Sequence, residues 1–118
     1  MTDPEVADAQ LQIDVVTLFP ELFDAPLRTS VIGRAVERGI LLVAVHDLRE
    51  QGLGRHRAVD DYPYGGGAGM VMRPEPLFGA VEPLRVEGAK VILLDPAGEP
   101  LTDRLARERS AARRRALA

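Results

Sequence analysis

The sequence has no cysteine and no tryptophan among its 118 residues, and only two histidines and two serines. Lack of cysteine excludes disulfides and thiolate zinc sites, and it fits a reducing compartment. His46 beside Asp47, or His56 near Asp60, forms no recurrent ligand spacing, so no metal is expected. Neither Ser30 nor Ser110 lies in a Gly-x-Ser-x-Gly elbow, which leaves serine-nucleophile chemistry without a carrier. The longest apolar run, Ile40 to Val45, is far too short to span a membrane. The first residues, Thr2-Asp3-Pro4-Glu5, are acidic rather than basic, so no secretory signal is read, and a soluble cytoplasmic protein is expected.

What is present is an ordinary globular composition, 46% hydrophobic and 28% charged, enough for one domain. The formal net charge of −3 hides an asymmetry: residues 1–100 carry 9 basic and 16 acidic side chains, while residues 101–118 carry 6 arginines and 2 acids. A broadly basic surface for nucleic acid is therefore absent. Any such contact has to be local, through Arg49, Arg55, His56, Arg57 and Arg73.

Residues 1–11 are polar and aperiodic and read as a disordered extension. Gln12 to Phe19 is a β-branched run stopped by Pro20, which predicts a buried strand followed by a short helical turn that Pro26 interrupts. Ser30 is expected to cap a helix whose apolar face is Val31, Ile32, Ala35 and Val36, with Gly39 just past its end. Ile40 to Val45 predicts a second strand buried on both faces, giving a parallel right-handed strand-helix-strand unit. Arg73-Pro74-Glu75-Pro76 opens a short helix with Leu77, Phe78 and Val81 on one face. Lys90 to Leu94 predicts a third buried strand, closed by a turn at Asp95-Pro96-Ala97-Gly98. Thr102 or Asp103 caps a last helix expected to run from Arg104 to Leu117, with Arg113-Arg114-Arg115 as its solvated end. The fold class is α/β, an open and mostly parallel sheet with helices on both faces.

Chemistry concentrates between Arg55 and Met70. Four glycines within Gly65–Gly69 suit neither a helix nor a strand interior, where each costs about 0.5–1 kcal/mol against alanine. They serve either mobility or the close approach of a ligand to bare backbone. Tyr62-Pro63-Tyr64 stiffens the entry, and Arg55-His56-Arg57 offers charge for phosphates beside aromatics for stacking. Neither Gly-x-Gly-x-x-Gly nor Gly-Lys-Ser/Thr occurs, so no standard nucleotide loop fits. Asp60-Asp61 reads either as a pair of general bases or as solvated partners of the arginines, and Met70 and Met72 read as core packing.

Ile13-Asp14-Val15-Val16-Thr17-Leu18-Phe19-Pro20, Gly33-Arg34-Ala35, the segment Asp60-Asp61-x-Pro63-Tyr64-Gly65-Gly66-Gly67-x-Gly69-Met70 and Pro96-x-Gly98 form a known pattern. Over about residues 12–107 the chain resembles the N-terminal half of bacterial tRNA (guanine-N1)-methyltransferases, the TrmD type of the knotted SPOUT class. The resemblance implies S-adenosyl-L-methionine as methyl donor, tRNA as substrate with methylation at N1 of the guanosine 3′ of the anticodon (guanosine-37), and a homodimer with composite sites. It implies donor contacts at Leu93, Leu94, Asp95, Pro96 and Gly98, and guanosine or tRNA contacts at Arg55, His56, Asp60, Tyr64, Gly65, Gly66, Gly67 and Gly69. The family often has serine where Asp95 stands and glutamine where Ala97 stands. Its general base lies in a segment this chain does not contain, so no catalytic residue is assigned. The expectation is an incomplete SPOUT-type domain over residues 12–118 without the knot-forming C-terminal part. A truncated or frameshifted product is expected, with the arginine-rich end out of family, an unpaired apolar sheet edge and no activity alone. The other readings are a non-catalytic RNA-contacting or dimerisation module, and an unfolded remnant.

Overall fold

The computed structural model describes residues 11–51, 60–61, 71–111 and 114–117, with backbone alone at 51, 60, 61, 71 and 114–117. The expected N-terminal extension lies outside the described residues except for Leu11, which opens the first strand.

That strand, β1 (Leu11–Thr17), pairs in parallel with β2 (Leu41–Asp47), from Leu11 opposite Leu41 to Thr17 opposite Asp47. Between them Pro20–Phe23 and Pro26–Arg28 form 3-10 turns, each started by a proline whose fixed φ suits a first helical position. Helix α1 (Ser30–Glu37) follows. Thr29, not Ser30, is its N-cap, and Ser30 has φ 55°, which removes it from the capping position. Gly39 behaves as expected: its φ is 72°, its N–H bonds to Val36 O, and the Ile40 N–H reaches Ala35 O at 3.0 Å. This is the paired-bond ending that a left-handed glycine makes possible.

The main sheet has four parallel strands in the order β2-β1-β6-β5, with β5 at Lys90–Ile92 and β6 at Arg114–Leu117. Three expectations change here. The last helix, α3 (Asp103–Ser110), ends well before residue 117, and Arg114–Leu117 is a strand between β1 and β5 rather than a solvated helix end. Arginine and alanine favour a helix locally, but the two flanking strands offer backbone pairing on both sides, and tertiary context outweighs propensity. Strand β2 is half-buried throughout rather than enclosed, because it is the edge. Strand β5 is the other edge, shorter than expected, with Lys90 and Val91 exposed.

Helix α2 (Pro74–Val81) and the turn Glu82–Leu84 bridge the edges of the sheet. Steps β1→β2 and β5→β6 cross the sheet in one direction and β2→β5 in the other. With right-handed crossovers this places α1 and α3 on one face and α2 on the opposite one. The core under α2 joins Val16, Leu48 and Leu84, with Leu18, Leu77, Ala80 and Val81 packed against it. Leu48 and Pro76 are the largest fully buried side chains among the described residues. Phe78 and Met72, expected inside, are 63% and 48% exposed. The apolar face of α1 is also open: Val31, Ile32 and Val36 are exposed.

Candidate functional site

In open α/β sheets ligands bind in the crevice outside the carboxyl ends of the strands, where the connecting loops depart. β5 ends at Ile92, and the segment Leu93–Gly98 turns directly away from it. Two bonds set that turn. Gly98 N–H donates to Asp95 O at 2.9 Å, closing a four-residue turn with Pro96 in its second position, and Ala97 N–H donates to Asp95 Oδ1 at 2.8 Å. The second bond is the side-chain-to-backbone closure that aspartate and serine both make two residues on. Asp95, where the resemblance often implies serine, therefore keeps the means to close the turn. A Cβ at Gly98 would stand 3.1 Å from Asp95 O, so the corner is tight at the one place it lacks a side chain.

The turn rims a concavity of about 690 Å³. Leu93, Leu94, Asp95 and Gly98 line it from the strand side, Leu101 from the segment before α3, and Leu105 and Arg109 from α3 itself, while Pro96 stands at the corner outside the lining. Leu93, Leu94 and Leu101 are 61%, 71% and 78% exposed, an open apolar wall beside exposed backbone. Thr102 accepts from Leu105 N at 3.1 Å and so fixes the start of α3 that carries Leu105. Leu101, Leu105 and Arg109 recur at helical four-residue spacing, the sequence signal that could have added them to the site. Leucines dominate its apolar lining, and Asp95, Glu99 and Arg109 are its charged residues.

Asp60 and Asp61, expected in a loop, form strand β3 (Asp60–Asp61), antiparallel to β4 (Val71–Met72), with Asp60 opposite Met72 and Asp61 opposite Val71. The two ends of the glycine-rich segment are thus held side by side. Arg55, His56, Tyr64, Gly65, Gly66, Gly67 and Gly69 lie outside the described residues, as does the Asp60 side chain.

The sequence model of the tRNA (guanine-1)-methyltransferase TrmD family matches residues 11–117. The chain belongs to that family. The match takes in the arginine-rich segment and β6, so the expectation that residues beyond about 107 are foreign to the family is not borne out. Among curated relatives named tRNA (guanine-N(1)-)-methyltransferase, that of Dictyoglomus turgidum is 48% identical over 100 residues, 85% of this chain and 41% of that protein. That of Gloeobacter violaceus is 52% identical over 92 residues, 77% of this chain and 40% of that protein. That of Geobacter sulfurreducens is 48% identical over 100 residues, 83% of this chain and 41% of that protein. The chain spans about two fifths of the length of these relatives.

Among the described residues no helix is long and apolar enough to cross a membrane, and no group of three or more His, Asp or Glu is gathered as for a metal. One polar pair went unforeseen: His46 meets Asp14 across the sheet rather than its neighbour Asp47. Asp47 Oδ1 instead accepts from Arg49 N at 2.9 Å and turns the chain at the end of β2.

Proposed function

We propose that the chain is the donor-binding and RNA-facing part of an S-adenosyl-L-methionine-dependent tRNA (guanine-N1)-methyltransferase, a cytoplasmic SPOUT-type domain over residues 12–118 that works as a homodimer. The carrying observation is the Asp95–Gly98 turn at the carboxyl end of β5, rimming a leucine-lined concavity of suitable size.

In this reading Leu93, Leu94, Asp95, Pro96 and Gly98 hold the donor, which when bound supplies an electrophilic methyl group. The leucines and Leu105 exclude water from one face of its base, and the turn backbone reads its edge. Asp95, anchored to Ala97 N, presents its second carboxylate oxygen toward positive charge. Asp60, Tyr64, Gly65, Gly66, Gly67 and Gly69, with Arg55 and His56, face the extruded guanosine and its phosphates; the β3–β4 pairing supports this by fixing both ends of that segment. Guanine N1 carries a proton at neutral pH, so a base must remove it as N1 attacks the methyl in line and the methyl–sulfur bond breaks, and the reading assigns that base to a part of the family outside these 118 residues.

Calorimetric titration with S-adenosyl-L-methionine tests the reading. Saturable binding that is lost in Gly98→Val supports it, because a branched side chain meets Asp95 O at the corner. RNA binding without any donor binding would favour the non-catalytic RNA-contacting module instead.

A further inference from the structure

Some arginines among the described residues are held in ion pairs and others are not. Arg85 pairs with Glu82 at 3.2 Å, Arg104 with Glu108 at 2.9 Å, and Arg107 with Asp103 at 3.1 Å. Arg28, Arg34, Arg38, Arg49 and Arg109 have no such partner among the described residues and all are exposed, but only Arg28 and Arg34 share a concavity. They line one groove of about 440 Å³ together with Ser30 and Gly33, between the Pro26–Arg28 turn and α1.

The backbone builds this juxtaposition. An ideal Cβ at Gly33 would stand 2.5 Å from the carbonyl carbon of Arg28 and 2.7 Å from its oxygen, so only glycine lets α1 press onto that turn. The close approach seats the Arg28 backbone on Gly33, next in the chain to Arg34, and both arginines line the resulting groove. Leu27, Val36 and Glu37 also line the groove, so its charged residues are two arginines against one glutamate, beside two apolar residues. Residues 1–100 carry 16 acids against 9 bases, so a polyanion is repelled by most of this surface and gains most where guanidinium charge is not already neutralised. Guanidinium groups also match phosphate oxygens in geometry, not only in sign.

We propose that this groove holds a phosphodiester of an RNA strand, gripped by Arg28 and Arg34, as a docking point separate from the Leu93–Gly98 corner and from the glycine-rich segment. The choice of RNA over a free phosphate rests on the function proposed above; the sharing of one groove by the two arginines rests on geometry.

The test measures binding of a fluorescent RNA hairpin with a guanosine in its loop to the 118-residue chain, across a series of NaCl concentrations. Arg28→Gln and Arg34→Gln are each expected to weaken binding about five-fold and to flatten the slope of log affinity against log salt by about 0.7. Glu37→Gln is expected to tighten binding, and circular dichroism verifies that each variant is folded. Wild-type affinity and slope in both arginine variants would overturn the proposal, as would absence of RNA binding by the wild-type chain. Complete displacement of the hairpin by inorganic phosphate at constant ionic strength would overturn the RNA assignment in favour of a free anion. Donor titration of the same proteins separates the two readings: intact donor binding with RNA binding insensitive to both arginines sinks this inference alone.

Discussion

His46 Nε2 lies 3.0 Å from Asp14 Oδ1, joining the second strand to the first on the face of the sheet that carries Val16. The two differ in exposure: 8% for the Asp14 side chain and 37% for His46. A carboxylate so shielded depends on the partners the fold gives it, and the imidazole is one of them. His46→Leu is expected to destabilise the chain by about 1–3 kcal/mol, read from urea unfolding. His46→Gln, which can still donate, is expected to recover much of the loss. Equal stability of wild type and His46→Leu would show that the pair contributes nothing to the fold.

Gly33→Ala puts a methyl group into the Arg28 carbonyl, 2.5 Å from its carbon. Backbone cannot swing aside as a side chain can, so α1 must lift from the turn at a cost of about 1–3 kcal/mol. The groove between Arg28 and Arg34 should widen with it. Chemical-shift changes at Arg28 and Arg34 amides, together with a lower unfolding midpoint, are the expected result.

Gly39→Ala forces a side chain into φ 72°, a conformation that costs about 1–2 kcal/mol for a residue with a Cβ. Thr102→Ala removes the oxygen that accepts from Leu105 N and is expected to cost about 1 kcal/mol. Only the second change bears on the concavity. Thr102→Ala should therefore weaken donor binding as α3 frays, while Gly39→Ala lowers stability with donor affinity retained. Calorimetry on both variants reads the contrast.

Methyl transfer itself is expected to be absent from the purified 118-residue chain, because the resemblance assigns proton removal to residues outside it. Incubation with labelled donor and tRNA is the check. Incorporation of label into guanosine would place the base among these residues after all.

Much of the frame was legible in the sequence because local chemistry and tertiary position agreed. Gly39 reads as a helix end and has the φ to match, Thr102 caps α3 by its own hydroxyl, and Asp95-Pro96-Ala97-Gly98 turns where proline and glycine require it. The failures share another cause. The enclosed second and third strands were inferred from apolar runs, but apolarity records what a residue tolerates, not whether it lies at an edge, and β2 and β5 are the edges. Arg114–Leu117 was misread because strand pairing depends on neighbours far away in sequence, here β1 and β5. Leu93 and Leu94 were legible in the sequence, yet Leu101 and Leu105 join them only once the turn folds the chain back.

The central claim is that the corner from Leu93 to Gly98 is where the methyl donor sits. Two-dimensional amide spectra of the labelled chain, recorded while S-adenosyl-L-methionine is added, measure this most directly. Saturable shifts are expected, concentrated at Leu93, Leu94, Asp95, Ala97 and Gly98, with weaker ones at Leu101 and Leu105. An unchanged spectrum at saturating donor, or shifts confined to α1 and the Pro26–Arg28 turn, would contradict it.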